Sequence, residues 1–204
     1  EHYLNEIRAV ITKCTFSYTR QIEMKGLGHA ILCGETLIGD QPFAVLLADD
    51  LCDAPGKGVL AQMVDLYKKY GCSIVAIEEI PKEDTNKYGV IAGNEIEPGI
   101  YMVKDMVEKP EPEVAPSNLA IIGRYILTPD IFNIIRETKP GKGGEIQITD
   151  ALLTQAKKGM VLAFKFEGQR FDCGSIDGFV KATNYFYDKE TKKEAAAKKA
   201  SGAK

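Results

Sequence analysis

Two adjacent carboxylates, Asp49 and Asp50, close the short apolar run Phe43-Ala-Val-Leu-Leu-Ala48. A run of that kind bounded by polar turns reads as a strand buried on both faces, as in a mostly parallel sheet. Ligands of such sheets lie beyond the carboxyl ends of the strands. An acidic pair there suits a hard cation such as Mg²⁺, which takes one or two carboxylates plus substrate phosphates. The same pair could simply solvate a strand end, so its surroundings decide. Upstream, Lys25-Gly26-Leu27-Gly28-His29 offers a tight turn and close backbone approach to a ligand just before a helix. It is not a Rossmann fingerprint, lacking the third glycine, and the later Gly34-x4-Gly39-Asp40 is not a P-loop, because no Lys follows. Downstream, Val107-Glu108-Lys109-Pro110 sets a charged pair against a proline, and Phe171-Asp172-Cys173-Gly174 puts a carboxylate near a helix start. Taken singly, the first of these reads as an exposed turn.

The elements that must position these residues follow from periodicity. Glu1 to Ile11 has helical spacing, with Tyr3, Leu4, Ile7 and Val10 or Ile11 along one face, and Cys14 to Arg20 alternates as a strand. A helix is expected from Ala30 to Leu37. Val59 to Tyr70 is amphipathic and stopped by Gly71, and Ser73 to Ile80 is strand-like. Strand, helix, strand in that order predicts right-handed βαβ units and a parallel sheet. Beyond Pro81, the pieces Lys87–Ile91, Tyr101–Val107 and Leu119–Leu127 suggest antiparallel strands added at one edge. Helices are expected over Asp130–Glu137, after the lead-in Glu145–Asp150 to about Lys157, and from Ile176 to about Lys189, with a strand at Val161–Phe166. The final segment, residues 189–204, has no apolar residue larger than alanine and reads as a polar, solvated tail to a domain spanning 1–188.

Composition narrows the function classes. The 204 residues are 45% hydrophobic and 27% charged, ordinary for a globular chain with one sizeable core. A net charge of −3 argues against nucleic acid or a membrane surface as the main partner. No apolar run has the length of a membrane span, and no signal-peptide pattern opens the chain. The five cysteines, Cys14, Cys33, Cys52, Cys72 and Cys173, show no zinc or disulfide spacing, so reduced thiols in a cytoplasmic protein are expected.

Several short motifs occur in one order: Arg20-Gln21…Lys25-Gly26-Leu27-Gly28-His29-Ala30, Leu47-Ala48-Asp49-Asp50, Tyr88-Gly89-Val90, Val107-Glu108-Lys109-Pro110, Ser117-Asn118…Gly123-Arg124-Tyr125, Gly144-Glu145-Ile146-Gln147-Ile148-Thr149-Asp150 and Phe171-Asp172-Cys173-Gly174. From about Arg20 to Tyr187 the chain closely resembles the bacterial UTP–glucose-1-phosphate uridylyltransferases. The resemblance implies an α/β, Rossmann-like three-layer nucleotidyltransferase fold with a mixed sheet. It implies Mg²⁺-dependent transfer of UMP from UTP to glucose 1-phosphate, giving UDP-glucose and pyrophosphate by direct attack on the α-phosphorus.

By the same resemblance, Gln21 and Gly26 match uracil contacts, and Asp49 matches the magnesium-binding aspartate. Gly89 and Glu108 match contacts to glucose, Lys109 matches a lysine beside the phosphates, and Asn118 and Gly123 line the sugar pocket. Asp172 matches an aspartate near the metal, and a homo-oligomer is expected. The family's opening strand and G-x-G-T-R-x-x-P-x-x-K loop have no counterpart in these 204 residues. The expectation is therefore a fold lacking its first βα unit, with little or no transferase activity from these residues alone. Thymidylyl or adenylyl transfer on the same fold, or non-catalytic binding of a sugar nucleotide, are the alternatives.

Overall fold

The computed structural model describes residues 2–200; Glu1 and residues 201–204, which the readings of the first helix and the tail included, lie outside them. Seven α-helices and eight strands occur along the described chain: α1 (His2–Ile11), α2 (Leu27–Leu32), α3 (Glu35–Ile38), β1 (Phe43–Leu46), β2 (Asp50–Asp53), α4 (Val59–Tyr70), β3 (Ser73–Glu79), β4 (Gly89–Glu97), β5 (Ile100–Glu108), β6 (Leu119–Leu127), α5 (Ile131–Glu137), α6 (Ile148–Ala156), β7 (Val161–Lys165), β8 (Gln169–Asp172) and α7 (Ile176–Ala200).

Six strands form a mixed sheet in the order β1-β6-β3-β7-β5-β4, and β2 and β8 form a separate antiparallel pair. β3 and β7 run parallel, whereas β6 is antiparallel to both of its neighbours β1 and β3. The sheet is thus mixed: β4 and β5 add antiparallel strands at one edge, as expected, whereas β6 lies inside the sheet rather than at that edge. The β4–β5 hairpin joins two places. Val90 and Ile91 pair with Ala120 and Leu119 of β6, while Ile100 to Met102 pair with Phe164 to Leu162 of β7.

Alternation within the strands divides the core. On one face Val75, Ile77, Ile121, Tyr125 and Val161 pack with Ile31 of α2, Phe132 and Ile135 of α5, and Ile148 and Leu152 of α6. On the other, Ile74, Ala76, Ile122, Ile126 and Leu162 pack with Val59 and Met63 of α4. Helices on both faces of one sheet make three layers. α4 shows why its sequence ends where it does: Gly71 takes the left-handed conformation (φ 64°), and its N–H donates to the Tyr67 carbonyl at 2.8 Å.

Four expectations need correction. β1 is not buried on both faces: it is an edge strand whose Ala44 and Leu46 are exposed. A short apolar run cannot by itself reveal whether both faces will be covered. Cys14 to Arg20 is extended and exposed but is no strand, since among the described residues no neighbouring strand takes its backbone groups. The helix expected over Ala30–Leu37 begins earlier and is split at Gly34 into α2 and α3. Finally, α7 does not stop near Lys189 but continues to Ala200. Among the described residues, no helix is long and apolar enough to cross a membrane.

Candidate active site

Two adjoining cavities open along one side of the sheet. The larger, about 420 Å³, includes Asp49, Asp50, Tyr88, Lys109, Gly123, Arg170, Asp172 and Gly174 in its wall. The smaller, about 230 Å³, has Leu27, Gly89, Glu108, Glu145, Gln147 and Thr149, and shares Leu47, Lys109, Ile121 and Tyr125 with its neighbour. Residues spread over more than a hundred positions of sequence are gathered here.

The structure separates the two carboxylates that close the β1 loop. Asp50 is 5% exposed and starts β2. One of its oxygens accepts the Gly123 N–H at 2.6 Å, and the other is paired with Arg170 Nε. Asp50 is therefore committed to holding the scaffold. Asp49 is exposed, and its carbonyl accepts the Cys173 N–H at 2.7 Å, which ties the loop after β1 to the end of β8.

Asp172 lies directly opposite Asp50 in the β2–β8 register. Its Oδ2 accepts from the Tyr88 hydroxyl at 2.6 Å and meets Arg170 Nη2 at 3.2 Å, while Oδ1 accepts the Gly174 N–H at 3.1 Å. Burial presses its pKa upward, but the Tyr88 hydroxyl and the Arg170 charge outweigh it and leave the carboxyl below its ordinary value. Burial and then the Asp172 carboxylate push the Tyr88 phenol up.

Gly174 tests whether a cation fits. A Cβ placed on it would sit 3.1 Å from Asp172 Oδ1 and 3.4 Å from Asp49 Oδ2. Two carboxylate oxygens thus face one small space kept open by a missing side chain. Among the described residues no group of three or more metal-ligating side chains forms a complete cage. Two carboxylates with the remaining positions left to phosphate oxygens and water is the arrangement that suits Mg²⁺. The residues fit.

Lys109 closes the boundary between the cavities. Its φ of 47° makes it the one non-glycine residue with positive φ among those described. Its N–H donates to the Tyr88 carbonyl at 3.0 Å, and its own carbonyl accepts from Lys142 Nζ at 2.6 Å. Pro110, which follows, is buried. The surrounding structure thus imposes a conformation that costs a side-chain-bearing residue about 1–2 kcal/mol. Glu108, at the end of β5, accepts from Thr149 Oγ1 at 2.9 Å and lies 3.9 Å from the Lys109 ammonium. Gly89 pairs with it across β4 and β5. A Cβ there would press to 2.7 Å from Thr149 Cγ2 and 3.2 Å from Glu108 Oε2, so a bare backbone leaves the carboxylate in place.

The other expected residues stand further off. Gly26 (φ 91°) packs against Glu145 and Ile146, and the Lys25–Gly28 turn is pinned by Ile146 N–H to Lys25 carbonyl (2.8 Å) and Gly28 N–H to Ile146 carbonyl (2.9 Å). That pinning sets Leu27 into the smaller cavity. Gln21 Nε2 donates to the Gly26 carbonyl at 3.1 Å and lies 2.9 Å from His29 Nδ1. Neither Gln21 nor Gly26 lines either of these two cavities, and neither does Asn118, whose Nδ2 donates to the Ile80 carbonyl at 3.3 Å. Tyr88, Thr149 and Arg170 were not singled out from sequence. For Arg170 a signal existed: it is two residues from Asp172 on a strand, hence on the same face.

The sequence profile described as "Nucleotidyl transferase" matches residues 1–189, and the chain belongs to that family. Among its relatives, the UTP–glucose-1-phosphate uridylyltransferase of Pseudomonas aeruginosa is 67% identical over 189 residues, covering 92% of this chain and 68% of that protein. The Bacillus subtilis enzyme of the same name is 45% identical, over 92% of this chain and 64% of its own length. A crystal structure of UDP-glucose pyrophosphorylase complexed with UDP-glucose superposes with a TM-score of 0.89 at 63% identity, covering 91% of this chain and 71% of that one. A UTP-bound enzyme from Acinetobacter baumannii gives 0.74 at 32%, covering 91% and 66%.

Proposed function

We propose that this protein is a UTP–glucose-1-phosphate uridylyltransferase that uses Mg²⁺. The observation that carries the reading is the convergence of Asp49 and Asp172 on the space over Gly174, next to Lys109 and the Glu108 compartment. Similarity to relatives bearing that name at up to 67% identity supports it.

In this reading a glucose 1-phosphate oxygen forms a bond to the α-phosphorus of UTP. The bond from that phosphorus to the bridging oxygen breaks, and pyrophosphate leaves. Such transfers depend on positioning and charge stabilisation more than on covalent catalysis, so no cysteine is required. Asp49 and Asp172 would hold the cation, which supplies charge neutralisation to the phosphates when bound. Lys109 directs its ammonium toward the same phosphates. Glu108, oriented by Thr149, accepts hydrogen bonds from adjacent sugar hydroxyls, and bare Gly89 lets the ring approach. The resemblance also assigns Gln21 and Gly26 to the base and Asn118 and Gly123 to the sugar; of these only Gly123 lines one of the two cavities, the one that holds Asp49 and Asp172.

Calorimetric titration of the protein with UDP-glucose and Mg²⁺ tests this, with dTDP-glucose and ADP-glucose as competitors. UDP-glucose is expected to bind best. Glu108→Ala should weaken it by about 10- to 100-fold, the loss of hydrogen bonds to a charged group worth about 1.5–3 kcal/mol. Equal binding of all three nucleotides, or binding indifferent to Glu108→Ala and Asp49→Asn, would overturn the assignment.

A further inference from the structure

Arg170 has a side chain only 6% exposed, as enclosed as that of Asp50, and three carboxylates contact it. Nε is paired with Asp50, Nη2 stands 3.2 Å from Asp172 Oδ2, Nη1 stands 3.6 Å from Glu78, and Asp49 is held next to Asp172 through the Cys173 N–H. Asp50 and Asp172 face each other in the β2–β8 register, where like charges repel. One guanidinium reaching both removes that repulsion, and its planar fork makes the reach possible. The same guanidinium lies 4.9 Å from the centroid of the Tyr88 ring, within cation–π range.

The two groups act on one atom. Tyr88 donates to Asp172 Oδ2, and the shortest approach of the Arg170 guanidinium, 3.2 Å, is to the same atom. The carboxylate is thereby turned so that Oδ1 meets the Gly174 N–H on the side where Asp49 Oδ2 stands. We propose that Arg170 and Tyr88 are positioning residues that fix the rotation of Asp172, so that a divalent cation meets one of its oxygens rather than both. The inference rests on the reading of Asp49 and Asp172 as the cation site. Groups that orient a metal-binding carboxylate in this way typically alter metal affinity by about 10- to 100-fold when removed.

The test is Mn²⁺ affinity, measured by electron paramagnetic resonance in the presence of UTP, for the unaltered protein, Tyr88→Phe, Arg170→Lys and Asp49→Asn. Tyr88→Phe removes one hydroxyl from a half-buried ring and keeps the fold testable should Arg170→Lys fail to fold. Tyr88→Phe is expected to weaken Mn²⁺ by about 10-fold while leaving UTP binding measured without metal unchanged, a split that a purely structural role would not give. Unaltered Mn²⁺ affinity in Tyr88→Phe, with Asp49→Asn defective, would overturn the inference and leave the cation site standing. Unaltered affinity in Asp49→Asn would overturn the cation site itself, and the inference with it.

Discussion

Gly123 offers a sharp test of how tightly the loop after β1 is seated. A Cβ at this position would lie 2.6 Å from Leu47 Cβ, 2.6 Å from Asp50 Oδ2 and 2.9 Å from Leu47 Cγ. Real Cβ contacts are rarely below 3.4 Å, so Gly123→Ala must move the loop or the strand by the better part of an ångström. Neither side yields easily: Leu47 N–H donates to the Gly123 carbonyl at 2.9 Å, and Arg124 Nη1 reaches the Leu47 carbonyl at 3.1 Å. Overpacking of this kind costs about 1–3 kcal/mol. Moving Asp50 away also forfeits the 2.6 Å bond it accepts from the Gly123 N–H, a charged bond worth about 1.5–3 kcal/mol. Together, Gly123→Ala should lose about 3–5 kcal/mol, a large share of the 5–15 kcal/mol typical of a domain. At roughly 2–4 °C per kcal/mol for a chain of this size, Tm should fall by about 6–20 °C. Urea denaturation followed by far-ultraviolet circular dichroism is the assay, as the chain has no tryptophan. Gly58→Ala is the control, since a Cβ there meets nothing within 4 Å at an ordinary φ of −58°; as the N-cap of α4, where alanine is less favoured than glycine, it should cost no more than about 1 kcal/mol. A Gly123→Ala protein within about 1 kcal/mol of the parent would refute the packing argument.

Lys109→Gly should relieve about 1–2 kcal/mol of left-handed strain and surrender about 0.5–1 kcal/mol in backbone entropy, for a net gain near 0.5–1 kcal/mol in urea unfolding. The same substitution should weaken UTP binding, so stability and function move in opposite directions; a loss of both would contradict the strain. A third expectation concerns α7. The Lys189 ammonium, followed by the Tyr185 hydroxyl at 2.7 Å, holds the Asp53 carboxyl below its ordinary value. A depressed native pKa stabilises above the unfolded value near 3.9 and loses that contribution as pH falls through the native one. The urea midpoint should therefore fall more steeply below about pH 4 in the parent than in Lys189→Met, and parallel curves would dismiss the linkage.

Much of the fold was legible because strong patterns met neighbours that suited them. α4 and β6 have the bounds that their amphipathicity and apolar run predicted. β8 was not legible: Gln169-Arg170-Phe171-Asp172 has a single apolar residue and becomes a strand only because β2 lies beside it. For the same reason the alternating Cys14–Arg20, with no strand beside it, stays extended and irregular. In the site, Asp49, Gly89, Glu108, Lys109, Gly123 and Asp172 were expected and do line the paired cavities. What sequence could not show was the division of labour between Asp49 and Asp50. Adjacent residues of one type differ here because Gly123 and Arg170, distant in the chain, claim only the second.

The β2–β8 pair brings Asp50 to Arg170 across 120 positions of chain. Closing a loop of that length carries an entropy cost of about 4 kcal/mol before any contact is gained. The hairpin of β4 and β5 needs no such excursion and can form early. A folding chain can therefore own its β4–β5 hairpin while Asp49 and Asp172 are still strangers, and distant pairings of this kind slow the later steps. On the ribosome they cannot meet until Asp172 has emerged. Under the proposed cation site, metal binding should appear in refolding only after that meeting, a clock for completion of the native state rather than for its beginning.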